Sequence, residues 1–421
     1  MKKFAILFPG QGSQYLGMGK ALYEQHALVK ERFTTASDIL GKDMAQLCFS
    51  GASAELDRTE NTQPALLLCG VAAYEVFVQR SGLKPQVMAG HSLGELTALV
   101  CAGVIGFEDG IRLARGRGEA MSRCTQSAET GMAAVTQLGC EQVEKLCRQH
   151  PDFGERFVIA NFNAPQQLVL SGEREALQQV GEVLTAAGAF FIPLRVSGAF
   201  HSPLMQAAAE EFKALIATVP LHDPQIPVLA NINARPYVKV AAVADSLIQQ
   251  VVSPVLWQES LLYLQNEYDQ GPMDLFIDAG PGSVVKKLCQ SVLPQARGYA
   301  LDLVADMAPL MQQLETDIRT LREHPPLLGK CLAVAVSTRN TNWDNDSYQQ
   351  HVVGPYQQLK TLHETLKEKG AEPSVEQMKQ ALELLGSIMR AKGASEQEQR
   401  QRFRDIVRVT GTAEVLQEYA S

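Results

Sequence analysis

The chain has 421 residues, 46% hydrophobic and 20% charged, enough for two or three domains with a sizeable core. Its 38 Lys and Arg against 46 Asp and Glu give a net charge of −8. That is the wrong sign for a surface built to meet phosphates, so the balance argues against a nucleic-acid binder without excluding a local basic patch.

The N-terminal apolar run in MKKFAILFPGQGSQ is too short for a signal peptide and is broken at Gly10 to Gly12. The longest apolar stretch, Ala65 to Val78, is interrupted by Glu75 and too short to span a bilayer. A soluble, cytoplasmic protein with no membrane partner is expected. The eight cysteines are scattered with no CxxC pair, and no HxxxH spacing occurs. They read as reduced, buried small side chains, and no metal site is expected.

In chain order, Phe4 to Phe8 reads as a buried strand, followed by the Gly-rich turn Pro9 to Gly19. Gln63 to Gln79 reads as a buried helix, Gln86 to Ala89 as a short strand and Leu93 to Val104 as the helix after it. Such alternation implies an α/β fold with a mostly parallel sheet. The next strands are Met132–Leu138, Phe157–Asn161, Gln167–Ser171 and Ala189–Val196, with helices at Cys140–Gln149 and Arg174–Ala187. That β-α-β-β-α-β order is the ferredoxin-like pattern, so residues 131–197 are expected to be a small domain inserted in a larger one. The α/β pattern resumes with strands Pro227–Ile232 and Leu275–Ile277 and a tight turn at Gly280-Pro281-Gly282. After about residue 305 the character changes. His324-Pro325-Pro326 breaks the chain, and Cys331–Ser337 reads as one more strand. Three helices follow, at Tyr356–Lys369, Ser374–Lys392 and Ser395–Val409. Capping-box signatures stand at Ser374 with Gln377 and at Ser395 with Glu398.

The sharpest local signal is Gly90-His91-Ser92-Leu93-Gly94, a G-x-S-x-G between a strand and a helix. In that context it reads as a nucleophile elbow. The glycines let the backbone turn sharply, and the new helix points free N–H groups at the spot where an oxyanion forms. A serine needs a base. His91 adjoins it but points elsewhere from an elbow. His201 lies just after the last strand of the insert, at a domain junction where clefts form, although a lone loop histidine is more often structural. The turn at Phe8–Gln14 lacks a following G-K-[ST], so a P-loop is not supported. It can supply oxyanion N–H groups or be an ordinary turn. Arg117 sits between Gly116 and Gly118 on a helical pattern. It is either a solvated surface group or, with space opened by the glycines, a buried contact for a carboxylate.

Together these elements resemble malonyl-CoA:acyl-carrier-protein transacylases and the free-standing, trans-acting acyltransferases of polyketide synthases. The resemblance covers about residues 3–305. It rests on FPGQGSQ at 8–14, TQPAL at 62–66, GHSLGE at 90–95, Arg117-Gly118, NAP at 163–165, GAFHS at 198–202 and GPG at 280–282. It implies an α/β-hydrolase-like core at 1–130 and 198–305 with the ferredoxin-like insert, leaving 306–421 as a mainly helical extension of unassigned role.

Residue by residue, the resemblance implies Ser92 as nucleophile and His201 as its base. Gln11 and the backbone of Leu93 form the oxyanion hole, and Arg117 holds the substrate's free carboxylate. The main-chain carbonyl of Gln250 orients the histidine in place of an acidic residue. Gln63, His91 and Asn161 support or line the pocket, and Phe200 matches a position associated with malonyl rather than methylmalonyl preference. The implied reaction moves malonyl from malonyl-CoA to the phosphopantetheine thiol of an acyl carrier protein or polyketide synthase carrier domain, with no permanently bound cofactor. Rival readings are an acyl hydrolase that clears stalled carriers, which would be expected to lack Arg117, and a housekeeping transacylase of fatty acid synthesis. A monomer is expected. Lys286 and Lys287 are candidates for docking an acidic carrier, against a plain solvated helix face.

Overall fold

A computed structural model describes residues 2–125, 129–150, 156–194, 196, 198–323, 327–341, 344, 348–368, 373–413 and 415–419. The chain divides into two compact units, residues 1–80 with 84–310, and residues 81–83 with 311–421.

The first unit opens on β1 (Phe4–Phe8), five apolar residues that are all buried, as a central parallel strand requires. Helices α1 (Lys20–Gln25), α2 (Ala27–Leu40), α3 (Met44–Phe49) and α4 (Ser53–Leu56) follow. Helix α5 (Thr59–Ser81) starts a turn earlier than expected and carries Pro64 inside it. Pro64 has no N–H to give the carbonyl of Glu60 one turn back. Arg115 Nη1 donates to that carbonyl instead, at 3.2 Å. Strand β2 (Val87–Gly90), α6 (Leu93–Cys101) and α7 (Phe107–Thr125) complete the first half.

Next come β3 (Thr130–Thr136), α8 (Cys140–Arg148), β4 (Phe157–Ala164), β5 (Gln167–Glu173), α9 (Arg174–Ala186) and β6 (Phe190–Pro193). Their antiparallel sheet has the order β4-β5-β3-β6. Val143 of α8 and Val180 and Leu184 of α9 pack with Val135, Leu168 and Leu170 of the sheet. The strand expected over Ala189–Val196 is shorter, Phe190–Pro193; Leu194 and Val196 are not strand, and residue 195 lies outside the described residues.

The chain then forms α10 (Gln206–Ile216), β7 (Leu229–Ala230), β8 (Arg235–Pro236), α11 (Ala241–Val252), α12 (Trp257–Asn266), β9 (Leu275–Asp278), α13 (Val284–Val292), β10 (Arg297–Ala300) and α14 (Val304–Glu323). The strand expected over Pro227–Ile232 shrinks to the two residues of β7, beside a parallel bridge from Val228 to Met88. The main sheet is wholly parallel, in the order β10-β9-β1-β2. Its register sets Phe8 against Gly90, and Leu7 against Asp278. The carboxyl ends of the central strands therefore share one edge, where sites form in open α/β sheets. The antiparallel sheet is pinned beside the main one. Phe162 N donates to Val255 O at 3.0 Å, and Val255 N to Ala160 O at 2.9 Å.

The second unit is helical, with α15 (Leu327–Ser337), α16 (Gly354–Glu368), α17 (Val375–Ala391) and α18 (Glu396–Val409). Its core gathers Leu328, Cys331, Leu359, Leu382, Leu385 and Val407. The strand expected at Cys331–Ser337 is helix instead. Leu327, Leu328, Cys331 and Ala335 are buried while Val336 is exposed, which is helical spacing. A short apolar run alone cannot separate a buried strand from a buried helix. At Ser374 the expected capping box is closed in both directions, and Ser395 Oγ accepts from Glu398 N at 3.2 Å. The break expected at His324-Pro325-Pro326 lies outside the described residues. Among the described residues no helix is long and apolar enough to cross a membrane.

Candidate active site

Ser92 stands between β2 and α6 with φ 52° and ψ −107°, a conformation that non-glycine residues rarely adopt. The flanking glycines make it attainable. A Cβ on Gly90 would lie 1.8 Å from the carbonyl carbon of Gly94, and a Cβ on Gly94 would lie 2.1 Å from the Phe8 carbonyl oxygen. The elbow thus closes on itself and on β1, with no room for side chains. Asn231, just past β7, braces the turn. Its Oδ1 accepts from Ser92 N at 2.7 Å, and its Nδ2 donates to Gly90 O at 2.7 Å.

His201 meets the serine from the segment after the antiparallel sheet. Its Nε2 lies 2.7 Å from Ser92 Oγ, and its Nδ1 lies 2.8 Å from the main-chain oxygen of Gln250 in α11. Facing a carbonyl, Nδ1 must carry the proton, which leaves Nε2 as acceptor for the serine proton. Burial, and next the charge of Arg117, push the imidazole well down, to about 3. His201 is therefore neutral at physiological pH and able to accept a proton.

Arg117, on α7, is buried. It donates from Nη1 to Gln63 Oε1 at 2.8 Å, and from Nη2 to Gln250 Oε1 at 2.8 Å and to Ser92 Oγ at 3.1 Å. Burial lowers its pKa to about 10, opposed by the charge of Glu95. The group stays cationic near neutral pH beside the serine. The glycines around it serve a purpose different from the expected one. A Cβ on Gly116 would meet Leu215 Cδ2 at 2.2 Å, and one on Gly118 would meet Glu60 Cα at 2.7 Å. They let α7 approach α10 and α5 closely, rather than opening space around the guanidinium.

These groups line a cleft of about 530 Å³ that also holds Gln11, Leu93, Asn161 and Phe200. Gln11 Nε2 donates to Thr59 Oγ1 at 3.2 Å. Leu93 opens α6, where first-turn N–H groups lack an intrahelical acceptor. His91 also lines the cleft. Its ring pairs with Asn163 Oδ1 at 2.8 Å and packs edge-on to Trp257, fastening the elbow to β4. Phe200 is buried and its carbonyl accepts from Ser171 Oγ at 2.7 Å. The structure thus brings together all ten residues singled out from the sequence.

Two buried polar residues escaped that reading, Asn231 and Glu95. Glu95 has a sequence signal, as the one charged residue in the helix LGELTALVC. Asn231 has none that separates it from other loop asparagines. Outside the site, Lys286 pairs with Asp306 at 2.6 Å with both side chains mostly buried. Of the two candidate docking lysines only Lys287 is exposed.

A strained elbow serine, a neutral histidine held by a carbonyl and a buried cation meet at one sheet edge, an arrangement able to support acyl transfer through a serine. The chain belongs to the acyl transferase domain family, which matches residues 5–325. A malonyl CoA-acyl carrier protein transacylase of Bacillus subtilis is 34% identical over 392 residues, covering 93% of this chain and 97% of that one. The polyketide biosynthesis protein ThaF of Burkholderia thailandensis is 39% identical over 295 residues, 70% of this chain and 24% of ThaF. Among solved structures, a type II polyketide synthase acyl-carrier protein in complex with its malonyl-transacylase matches with TM-score 0.70 and 35% identity. That match covers 74% of this chain and 99% of the other.

Proposed function

We propose that this enzyme transfers a malonyl group from malonyl-CoA to the phosphopantetheine thiol of an acyl carrier protein, by way of malonyl-Ser92, in service of a polyketide synthase. The observation that carries the proposal is the convergence of His201 Nε2 and Arg117 Nη2 on Ser92 Oγ, at 2.7 and 3.1 Å. The names of the relatives favour the same chemistry. In this reading the parallel sheet is the α/β-hydrolase-like core, and residues 131–197 are its ferredoxin-like insert.

Malonyl-CoA enters with its free carboxylate toward Arg117 and its thioester carbonyl toward the N–H groups of Gln11 and Leu93. His201 takes the Ser92 proton as Oγ attacks the thioester carbon. The oxyanion collapses and expels coenzyme A thiolate, which recovers the proton from His201. The carrier's thiol then enters, gives its proton to His201 and attacks malonyl-Ser92, and the serine leaves with that proton. Each oxyanion donor of this type is worth about 3–4 kcal/mol of barrier. The bound carboxylate has a second effect. Arg117's charge is one cause of the low His201 pKa, so a substrate anion that offsets this charge raises the basicity of His201 when it is needed. A neutral acyl group gives the Arg117 donor that faces the cleft no anionic partner and is disfavoured.

Incubation with malonyl-CoA followed by intact-protein mass measurement is expected to show one added malonyl group. Ser92→Ala is expected to show none. An unmodified wild type, or label on the Ser92→Ala protein, contradicts the proposal.

A further inference from the structure

We infer that Glu95 is a positioning residue, the buried counter-charge of Arg117, acting on it through the side chain of Gln250. The inference rests on the malonyl-transfer reading above.

Glu95 lies in the first turn of α6 and is wholly buried. Its Oε2 accepts from Gln250 Nε2 at 2.7 Å and from Asn231 N at 2.9 Å, and its Oε1 accepts from the Tyr237 hydroxyl. The Gln250 amide has only one workable orientation. Its Nε2 meets three acceptors, Glu95 Oε2, Ser92 O at 3.1 Å and Asn231 Oδ1 at 3.3 Å. Its Oε1 is thereby turned to Arg117 Nη2. The main chain of the same residue holds His201. Carboxylate, amide and guanidinium thus form a relay in which Glu95 sets the face that Gln250 shows to Arg117.

The elbow's own groups, Ser92 N and Gly90 O, bond to the Asn231 side chain and not to the Glu95 carboxylate, which touches the elbow only through Asn231 N and Gln250. The charge bears on the substrate instead. An incoming malonyl carboxylate is attracted by Arg117 and opposed by Glu95. Glu95 therefore moderates the hold on malonate and favours onward transfer over a stalled malonyl-serine. Burial pushes the Glu95 carboxyl up to about 7, against the pull of its hydrogen bonds and of Arg117. The ionisable groups around it are Arg117, Tyr237, His201 and His91. Between pH 8 and 6 Arg117 stays charged, Tyr237 protonated and His201 neutral, and burial lowers His91 below the usual imidazole value. Protonating Glu95 over that interval removes the opposing charge, so preference for malonyl over acetyl rises as pH falls.

The test is competition between malonyl-CoA and acetyl-CoA for Ser92 from pH 8 to pH 6, in the wild type and in Glu95→Gln. The ratio cancels titration of the coenzyme itself. The wild-type ratio is expected to rise roughly three- to tenfold toward pH 6, the size of one partly screened charge at close range. In Glu95→Gln it is expected to be flat and at or above the wild-type pH 6 value, with slower discharge of malonyl-Ser92 to a carrier. A purely packing role would slow both substrates alike and leave the ratio unmoved. A flat wild-type ratio, or an unchanged ratio in the variant, overturns the inference. The wild-type arm stands even if the variant does not fold. A wild type that takes no malonyl at Ser92 refutes the underlying function instead.

Discussion

Each of the two units buries a cation. In the first, Arg117 is held by the side-chain oxygens of Gln63 and Gln250 and keeps one nitrogen on Ser92 Oγ at the cleft. In the second, Lys392 donates to the carbonyls of Ala335 at 2.7 Å and Thr338 at 3.2 Å. Those are carbonyls at the end of α15, which lack intrahelical donors. Burial lowers the pKa of both cations. The same physical cost therefore serves two ends. Lys392 closes on backbone and stops a helix, whereas Arg117 keeps a donor at a space that a ligand can fill. A buried charge points to function when its partners leave part of it facing a cavity.

Two substitutions can break this contrast. The larger effect is expected from Arg117→Ala. Malonyl loading of Ser92 should fall by roughly a hundredfold or more, the scale of losing one partner of a buried ion pair. Loading from acetyl-CoA should rise relative to malonyl-CoA, because the cationic donor that a neutral acyl group cannot pair is gone. Side-by-side loading rates check this, and a variant that still prefers malonyl removes Arg117 from its assigned role. Lys392→Met should be milder and confined to stability. Leaving the two carbonyls without a donor costs roughly 1–3 kcal/mol, visible as earlier thermal or urea unfolding, with malonyl loading unchanged. Loss of loading at full stability would show that the second unit's buried cation is not merely structural.

Much of the site was legible because its parts are local. Gly90, Ser92 and Gly94 form a five-residue turn whose geometry admits few sequences, and strand and helix flank it as expected. The order of elements in residues 131–197 likewise sufficed, since each has its own period. What could not be read depends on contacts far apart in sequence. The elbow takes its brace from Asn231, 139 residues from Ser92. Glu95 acquires its meaning only when α11 brings Gln250 against it, 155 residues away. Lys286 looked free until Asp306, 20 residues on, was found beside it. Cys331–Ser337 failed for a different reason. Six apolar residues and a serine fit a buried strand and a buried helix equally, and packing against α17 and α16 decides for helix.

The central claim is that the malonyl group leaves Ser92 for a thiol and not for water. The most direct measurement isolates the malonyl-enzyme, adds a carrier protein bearing phosphopantetheine, and follows the malonyl mass on both proteins and in solution. The account predicts that the mass disappears from the enzyme and appears on the carrier in equal amount, with slow loss when no carrier is added. Rapid release of free malonate, with or without the carrier, would contradict it and identify a hydrolase.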